Sequence, residues 1–329
     1  MQKHIRTTIG SHSRIAPGRS LYLEALNPWS GFFYTVRKTL LRNRTRFQDL
    51  KLLDTDEFGK VLLLDDITQV ADKNDFYYHE PMVHPALCSH SLPRSVLIIG
   101  GGDGGIIREV FKYPCVQTVD LAELDDGVIA FSKKYLPKVH GGAFRDPRLA
   151  IHVTEGRRFV DRRRGMYDIV IMDMTDPSGP STLLYTREFF SAVKQSFRNH
   201  YGIFVMHSES PVARPGAFAC IQKTLHAVFP EVYPFYLYIP MYGIFWSITL
   251  SGYRSAPASV KPAALDAKLT RYGIHGLKVY SGATHHAMQT PYPYISALLA
   301  KPARIITDAR PDFPDDFLYH NHYRKRVKR

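Results

Sequence analysis

The 329 residues include 43 lysines and arginines against 30 aspartates and glutamates, and 45% of them are hydrophobic and 22% charged. This composition is typical of a soluble globular protein with one large domain or two modest ones. No apolar run reaches the roughly 18 to 20 residues of a membrane-spanning helix, and the first residues lack the apolar core of a secretory signal, so we expect a cytoplasmic protein with no membrane partner.

The cysteines and the basic residues narrow the function further. Cys88, Cys115 and Cys220 are odd in number and widely spaced, so they indicate neither a disulfide framework nor a zinc site, and we predict no bound metal.

Nine basic residues lie near the two ends, which leaves +4 of the net charge of +13 for the rest of the chain. We interpret residues 1–25 as a basic, disordered extension and 311–329 as a basic tail; contact with nucleic acid is the alternative.

The first part of the chain contains predicted β-strands. Three stretches have the residue pattern of strands: 32–41, 47–55 and 60–72. A turn at 56–59 joins the last two, so we predict a small antiparallel β domain over residues 26–80. From Asp75 the spacing of apolar residues becomes helical, with interruptions expected at Pro81 and Pro85.

Farther along, short apolar strands alternate with helices. The strand stretches are SVLIIG, QTVDLAELD, RLAIHVTEG, YDIVIMDM and GIFVMHSES. The helices that follow them are expected from residue 106, over 126–135, near 157, over 186–197 and over 215–229. Uniformly apolar strands separated by helices favour an α/β fold with a parallel, doubly wound, Rossmann-like sheet, which we place over residues 81–310.

Carboxylates follow most of these strands. In open α/β sheets ligands bind beyond the carboxyl ends of the strands, near the point where the strand order reverses. The side chains expected there are Asp103, Glu123, Glu155, Asp173 and Asp176. A cleft that collects five carboxylates is predicted to bind cations.

The glycine cluster after the first of these strands is a nucleotide-binding pattern. Gly100, Gly102 and Gly105 satisfy G-x-G-x-x-G, and Glu123 follows at the distance of an acid that binds ribose hydroxyls. The pattern alone fits a nicotinamide dinucleotide, a sulfonium nucleoside such as S-adenosylmethionine, or only a tight turn. Asp103 inside the loop would repel a pyrophosphate, whereas it would attract a ligand that ends in an ammonium group. Glu155 is either an acceptor for the adenine amino group or an exposed loop residue.

The segment DMTDPSGP, residues 173–180, is the most specific feature of the chain. It lacks the Pro-Pro-aromatic motif of base-modifying methyltransferases, and two carboxylates in one turn beside three others make a purely structural Asp-Pro turn the weaker interpretation. Together with five other segments it resembles the polyamine aminopropyltransferases, the spermidine synthase family. Those segments are FQDL, YYHE, IGGGDGG, AELD and KKYLP.

The resemblance implies a β domain followed by a catalytic domain like that of class I methyltransferases, in a homodimer or homotetramer. It implies transfer of an aminopropyl group from decarboxylated S-adenosylmethionine, a co-substrate, to an amine, with no cofactor, and putrescine as the expected acceptor. The nucleoside would contact Gln48, Gly100, Gly102, Glu123, Glu155, Gly156 and Pro180. Asp103 would bind the donor ammonium, and Asp173 would be the catalytic residue. The acceptor channel would be formed by Tyr78, His79, Asp103, Asp173, Asp176 and Tyr242, with Trp29 at its far end.

Two departures from the family pattern leave the adenine contact and the acceptor open. Glu155 stands where the family usually has Asp, and Leu183 to Thr186 replace a usual phenylalanine. The second change resembles members that extend spermidine or modify agmatine, so thermospermine or spermine synthesis remains an alternative. The carboxylates disfavour two further functions, an N-methyltransferase for small amines and a non-catalytic polyamine or nucleic-acid binding protein. A dehydrogenase is disfavoured because no second half of a dinucleotide site is apparent.

Overall fold

The computed structural model describes residues 15–177, 179–252 and 260–314, without the side chain of Pro180. Its first part is an antiparallel sheet in which each strand pairs with the next along the chain. The strands are β1 Ser20–Asn27, β2 Ser30–Arg44, β3 Asp49–Thr55, β4 Lys60–Leu64 and β5 Ile67–Ala71. The predicted small β domain is therefore present, with two more strands than the sequence indicated.

The two additional strands have identifiable causes. The stretch 60–72 splits because Asp65 and Asp66 adopt φ values of 48° and 66°, the left-handed pair that closes a two-residue hairpin. β1 pairs with β2 from Ser20 onward. The expected disordered extension over residues 1–25 is therefore wrong for residues 20–25, which belong to a strand. The expectations for residues 1–14 and 315–329 lie outside the described residues.

A buried helix, α1 Phe76–Ser89, connects this sheet to the rest of the chain. It runs without a break through Pro81 and Pro85, where an interruption was expected. Each proline removes one helical hydrogen bond, but eleven of the fourteen residues are buried. The burial of this much apolar surface offsets the lost bonds, and it places Tyr78 and His79 beside the second sheet.

The second sheet has the order β11-β12-β10-β9-β6-β7-β8. Its strands are β6 Ser95–Gly100, β7 Thr118–Glu123, β8 Leu149–Val153, β9 Ile169–Asp173, β10 Ile203–His207, β11 Glu231–Ile239 and β12 Ile244–Gly252. The five predicted strands are parallel, whereas β11 and β12 form an antiparallel hairpin that pairs with β10. The fold is the expected Rossmann-like one, with an antiparallel edge that the βα pattern did not reveal.

Further helices cover this sheet on the described part of the chain. They are α2 Gly105–Val110, α3 Asp126–Tyr135, α4 Pro137–His140, α5 Gly156–Asp161, α6 Arg187–Ser196, α7 Pro215–His226, α8 Pro262–Arg271, α9 Gly282–Met288 and α10 Pro293–Leu299. Within the described ranges, none of them has the length and hydropathy needed to cross a membrane.

The strand order fixes where a ligand can bind. Successive strands run outward from β6 through β7 to β8, and the chain then returns to place β9 on the other side of β6. All six residues of β6 are buried, and Gly100 at its end pairs with Asp173 at the end of β9. The glycine cluster and Asp173 therefore meet at the switch point of the sheet, where such folds bind ligands.

Candidate active site

A cavity of about 460 Å³ opens at the carboxyl edge of the second sheet and reaches the first sheet. Its wall includes most of the residues that the sequence indicated: Gln48, Tyr78, Gly100, Gly102, Asp103, Glu123, Glu155, Gly156, Asp173, Asp176 and Tyr242. His79 stands behind this wall, and the side chain of Pro180 lies outside the described part of the chain.

The glycine turn brings backbone and carboxylates close together. Gly100 has φ 79°, and a Cβ there would lie 2.1 Å from the carbonyl oxygen of Asp173, so this close approach of β6 and β9 requires glycine. A Cβ at Gly105 would lie 2.0 Å from the ring of His79. The motif therefore serves two purposes, since it turns the chain toward α2 and makes room for an imidazole.

Asp103 is held by that imidazole. Its Oδ1 accepts a 2.7 Å hydrogen bond from the Gly105 N–H, and its Oδ2 lies 3.6 Å from Nε2 of His79. The other ring nitrogen of His79 lies 2.9 Å from Asp75, and Asp75 also pairs with Arg108 at 2.7 Å. A buried row of alternating charges thus runs from the cavity into the protein.

Charges in this row shift the pKa of His79 and of Asp103. Burial alone would lower the pKa of His79, but Asp103 and Asp75 outweigh it and raise that pKa to about 10. Burial disfavours ionisation of Asp103, but His79, the Gly105 N–H and Arg108 together keep the pKa of Asp103 below its usual value. Asp103 is therefore an anion that faces the cavity at neutral pH, as the sequence predicted.

Asp173 lies beside this pair. Oδ1 of Asp173 accepts a 2.7 Å hydrogen bond from the Tyr78 hydroxyl, and one ligating atom from each of His79, Asp103 and Asp173 lies within 4.8 Å of the others. Burial and the neighbouring Asp103 raise the pKa of Asp173 to about 6, against the opposite effect of His79. At pH 7.4 Asp173 is mostly ionised, so two carboxylates at the switch point attract cations.

The two sheets meet around one carboxylate, Asp125. Its Oδ2 accepts hydrogen bonds from Gln48 Nε2 at 2.8 Å and from Thr45 Oγ1 at 2.7 Å, while its Oδ1 caps α3 through the Gly127 N–H. Glu123 accepts a 2.9 Å bond from the Asp125 N–H, and its burial raises its pKa to about 7. These contacts hold Gln48 and Glu123 in the cavity wall.

Glu155 has a role that the sequence did not indicate. Its two oxygens accept hydrogen bonds from the N–H groups of Arg157 and Arg158 at 2.8 and 2.9 Å, so it caps α5. A Cβ at the following residue, Gly156, would lie 2.4 Å from Ile99, which explains why glycine begins this helix. Both residues line the cavity.

A second lobe of about 60 Å³ adjoins the main cavity beyond Asp173; we call it the acceptor lobe, and it includes Asp176, Tyr242 and Glu24. The Tyr242 hydroxyl donates to the Gln69 carbonyl at 2.8 Å. Burial raises the pKa of Glu24 to about 7, and hydrogen bonds from Thr68 oppose this shift. The lobe thus offers two more carboxylates.

Three residues that support or line the cavity were not predicted from the sequence. Asp75 and Asp125 had recognisable signals, because one precedes His79 by a helical turn and the other stands at a helix start. Glu24 had none, since only the docking of the first sheet brings it to the lobe. Trp29 was expected near the acceptor, but it lies in the turn between β1 and β2 with 80% of its surface exposed and is absent from the described cavity wall.

The fold and the cavity together define an α/β protein class with a ligand cavity at the switch point of the sheet and several carboxylates in its wall. Family models agree with this class. Residues 75–258 match the spermine/spermidine synthase domain, and residues 21–72 match the spermidine synthase tetramerisation domain.

Individual relatives match nearly the whole chain. A polyamine aminopropyltransferase of Nitrosomonas europaea is 37% identical over 87% of this chain and 88% of its own, and one of Pyrobaculum aerophilum is 34% identical over 86% and 98%. Spermidine synthase from Thermotoga maritima superposes with a TM-score of 0.79 at 29% identity, over 89% of this chain and 99% of its own. A spermidine synthase in complex with the transition-state analogue AdoDATO gives a TM-score of 0.80 at 29% identity, over 88% and 98%. The chain belongs to the spermine/spermidine synthase family and is an aminopropyltransferase.

Proposed function

We propose that the enzyme transfers the aminopropyl group of decarboxylated S-adenosylmethionine to putrescine, which gives spermidine and methylthioadenosine. The observation that carries this proposal is the anionic Asp103 in the glycine turn, next to Asp173 and backed by His79. Asp103 would bind the ammonium group of the donor. A donor that kept its carboxylate would bring it against Asp103, which also disfavours an N-methyltransferase that uses S-adenosylmethionine.

The nucleoside would occupy the main cavity. Glu123 would accept hydrogen bonds from the ribose hydroxyls, with Gln48 beside it. Glu155 would meet the adenine end, where its oxygens already accept two backbone hydrogen bonds and have further lone pairs. The remaining contacts of the nucleoside would come from Gly100, Gly102, Gly156 and Pro180.

The chemical step is a displacement at carbon. The lone pair of the acceptor nitrogen attacks the methylene next to the sulfonium, the C–S bond breaks, and its electrons leave with sulfur as a neutral thioether. An amine with a pKa near 10.4 must first lose a proton, which requires about 4 kcal/mol at pH 7.4. Asp173 would accept a hydrogen bond from the attacking nitrogen and stabilise its growing positive charge, and the proton passes to water.

The acceptor lobe supports a short diamine. His79 and Tyr78 would help to shape the channel at the attacking nitrogen. The lobe beyond has a volume of only about 60 Å³, and its Asp176 would bind the second ammonium while Tyr242 packs against Tyr78, with 6.1 Å between ring centroids. Putrescine is shorter than spermidine and agmatine and carries at its far end the second ammonium group that Asp176 would bind.

We also propose a homodimer or homotetramer. Three large apolar side chains of the first hairpin are exposed, with relative exposures of 48% for Leu23, 80% for Trp29 and 63% for Phe33. A cluster of exposed apolar residues is typical of an interface, and the segment that carries it matches the tetramerisation domain. The cytoplasmic location remains a prediction from the sequence.

One experiment tests the reaction and the acceptor together. Purified protein is incubated with decarboxylated S-adenosylmethionine and, separately, with putrescine, cadaverine, agmatine or spermidine, and products are identified by mass spectrometry. We expect spermidine and methylthioadenosine from putrescine at the highest kcat/KM. The control donor, S-adenosylmethionine, should give no product. A higher kcat/KM with agmatine or spermidine would overturn the acceptor, and a methylated amine would overturn the donor.

A further inference from the structure

Behind the acceptor lobe lies a buried ion pair that the proposed chemistry does not use. Nη1 of Arg214 donates a 2.7 Å hydrogen bond to Oε1 of Glu209, and the side chains are 6% and 0% exposed. The same Nη1 lies 3.9 Å from Oδ2 of Asp176. A buried guanidinium therefore stands between a buried carboxylate and the carboxylate that lines the lobe.

Glu209, one member of this pair, has a strained backbone. Glu209 follows β10 with φ 71°, a left-handed conformation that is unfavourable for a residue with a Cβ. Ser247 stabilises it by donating from both Oγ and N–H to the Glu209 carbonyl, at 2.6 and 3.1 Å. Strained residues of this kind concentrate at functional sites, and this one is next to the candidate acceptor lobe.

Glu209 determines how much negative charge remains for Asp176 to offer to a ligand. If Arg214 faced Asp176 alone, the two would form a neutral pair and the lobe would lose its attraction for an ammonium. Because the charge of Glu209 balances that of Arg214, the three groups together carry one net negative charge. The planar guanidinium also restrains the position of the Asp176 carboxylate.

We propose that the Glu209–Arg214 pair is a positioning unit that fixes Asp176 and, by cancelling its own charge, leaves Asp176 able to bind the second ammonium of the acceptor. This proposal rests on the proposed function, since it takes Asp176 as the site of that ammonium. Glu209 and Arg214 act through Asp176 and do not touch the reacting atoms. Their mutual neutralisation preserves the preference of Asp176 for an acceptor with a second positive charge.

The test compares putrescine with n-butylamine, which has the same carbon chain and no second ammonium. KM and kcat for both are measured at pH 8 with saturating decarboxylated donor, for wild type, Glu209→Gln, and the double variant Glu209→Gln/Arg214→Met. Glu24, the other carboxylate of the lobe, is unchanged in all three proteins. Methylthioadenosine affinity and circular dichroism verify that each variant is folded.

In Glu209→Gln the three groups become neutral overall, so we expect KM for putrescine to rise by about 10- to 100-fold. For n-butylamine, kcat/KM should stay within about threefold of wild type. The double variant removes both buried charges and restores the net negative charge, so its KM for putrescine should return to within about fivefold of wild type. A structural role alone predicts the opposite order, with the double variant worse than the single one.

Three outcomes are decisive. If Glu209→Gln impairs both amines alike, or the double variant loses its preference for putrescine, the inference is wrong. The double variant contains no buried charge from this pair, so it decides the question even if Glu209→Gln alone fails to fold. If Asp176→Asn leaves the ratio of putrescine to n-butylamine unchanged, the proposed role of Asp176 is wrong, whatever the pair does.

Discussion

The hydroxyl of Tyr78 donates a 2.7 Å hydrogen bond to Oδ1 of Asp173. Burial and the adjacent carboxylate raise the pKa of Tyr78 well above 10, so the phenol keeps its proton throughout the working range of pH. Asp173 is therefore held by a permanent donor. This arrangement suits a group that orients an amine and stabilises charge rather than one that carries protons.

The first prediction concerns Asp173→Asn, which keeps the shape of the side chain and removes its charge. The chemical step should slow by roughly 10² to 10³, or about 3 to 4 kcal/mol, which is typical for the loss of one well-placed electrostatic partner. Between about pH 8 and 10 the rate should partly recover, because more acceptor is neutral there. Single-turnover kinetics measure this.

Donor affinity provides the control for that variant, since Gln48, Glu123 and Asp103 remain in place. We expect it to change much less than the rate. If Asp173→Asn stays within about threefold of the wild-type rate at pH 7.5, Asp173 only shapes the turn, and the catalytic role would belong to Asp176 or Tyr78.

The second prediction concerns the donor ammonium. Asp103→Asn should weaken the binding of decarboxylated S-adenosylmethionine by about 1 to 3 kcal/mol, because a partly desolvated charged hydrogen bond is lost. Wild type should bind this donor far more tightly than S-adenosylmethionine. Calorimetry on both nucleosides measures the difference, and equal wild-type affinities would show that Asp103 does not select the donor.

The third prediction is a pH dependence of nucleoside binding. Burial raises the pKa of Glu123 to about 7, and the ionised carboxylate is the stronger acceptor for ribose hydroxyls. The affinity for methylthioadenosine should be constant above about pH 8 and should decrease as the pH falls through 7. Titration calorimetry from pH 6 to 8.5 tests this, with Glu123→Gln as the control that should show a flat profile. A flat profile in wild type would contradict the assignment.

The fourth prediction is a pH dependence of stability. His79 has a pKa of about 10 in the folded protein, against about 6.5 in an unfolded chain. Because the folded pKa is the higher one, the stabilisation from this proton is complete below about pH 6.5 and is lost as the pH rises toward 10. The groups that face the ring are Asp75 and Asp103, with Arg108 behind Asp75.

Thermal unfolding of wild type and His79→Gln between pH 6 and 10.5 measures that contribution. The Tm difference between them should shrink across this window. His275 is exposed, so His275→Gln is the matched control and should differ from wild type by a constant amount. A constant difference for His79→Gln as well would mean that the buried ring is neutral.

Much of the site was predictable because parallel strands place their carboxyl ends together. That rule alone locates Asp103, Glu123 and Asp173 in one cavity once the alternation of strands and helices is recognised. The charge of Asp103 then indicates a cationic ligand. The structure adds that His79 lies behind Asp103 and keeps its carboxylate in place. Local sequence was sufficient for these residues because each lies at the end of its own strand or in the turn that follows it.

Other features depend on contacts between distant segments. The β11–β12 hairpin was missed because it does not continue the alternation of strands and helices from which the parallel strands were predicted. Glu24 reaches the acceptor lobe only through docking of β1. The left-handed backbone of Glu209 was not visible in the sequence either, because glutamate rarely adopts it and tertiary contacts with Ser247 hold it there.

The hydrogen bonds of Gln48 and Thr45 to Asp125 bear on how the protein can be divided. The segment that matches a tetramerisation domain supplies Gln48 to the cavity wall, and it also fixes Asp125, the residue that caps α3. A fragment that begins at α1 would keep the glycine turn and Asp173 but would expose Asp125 and lose Gln48. Removing the first sheet would therefore damage the cavity wall, whereas point substitutions on the exposed face of the first hairpin would leave Gln48 and Asp125 in place and so suit a test of the proposed oligomer.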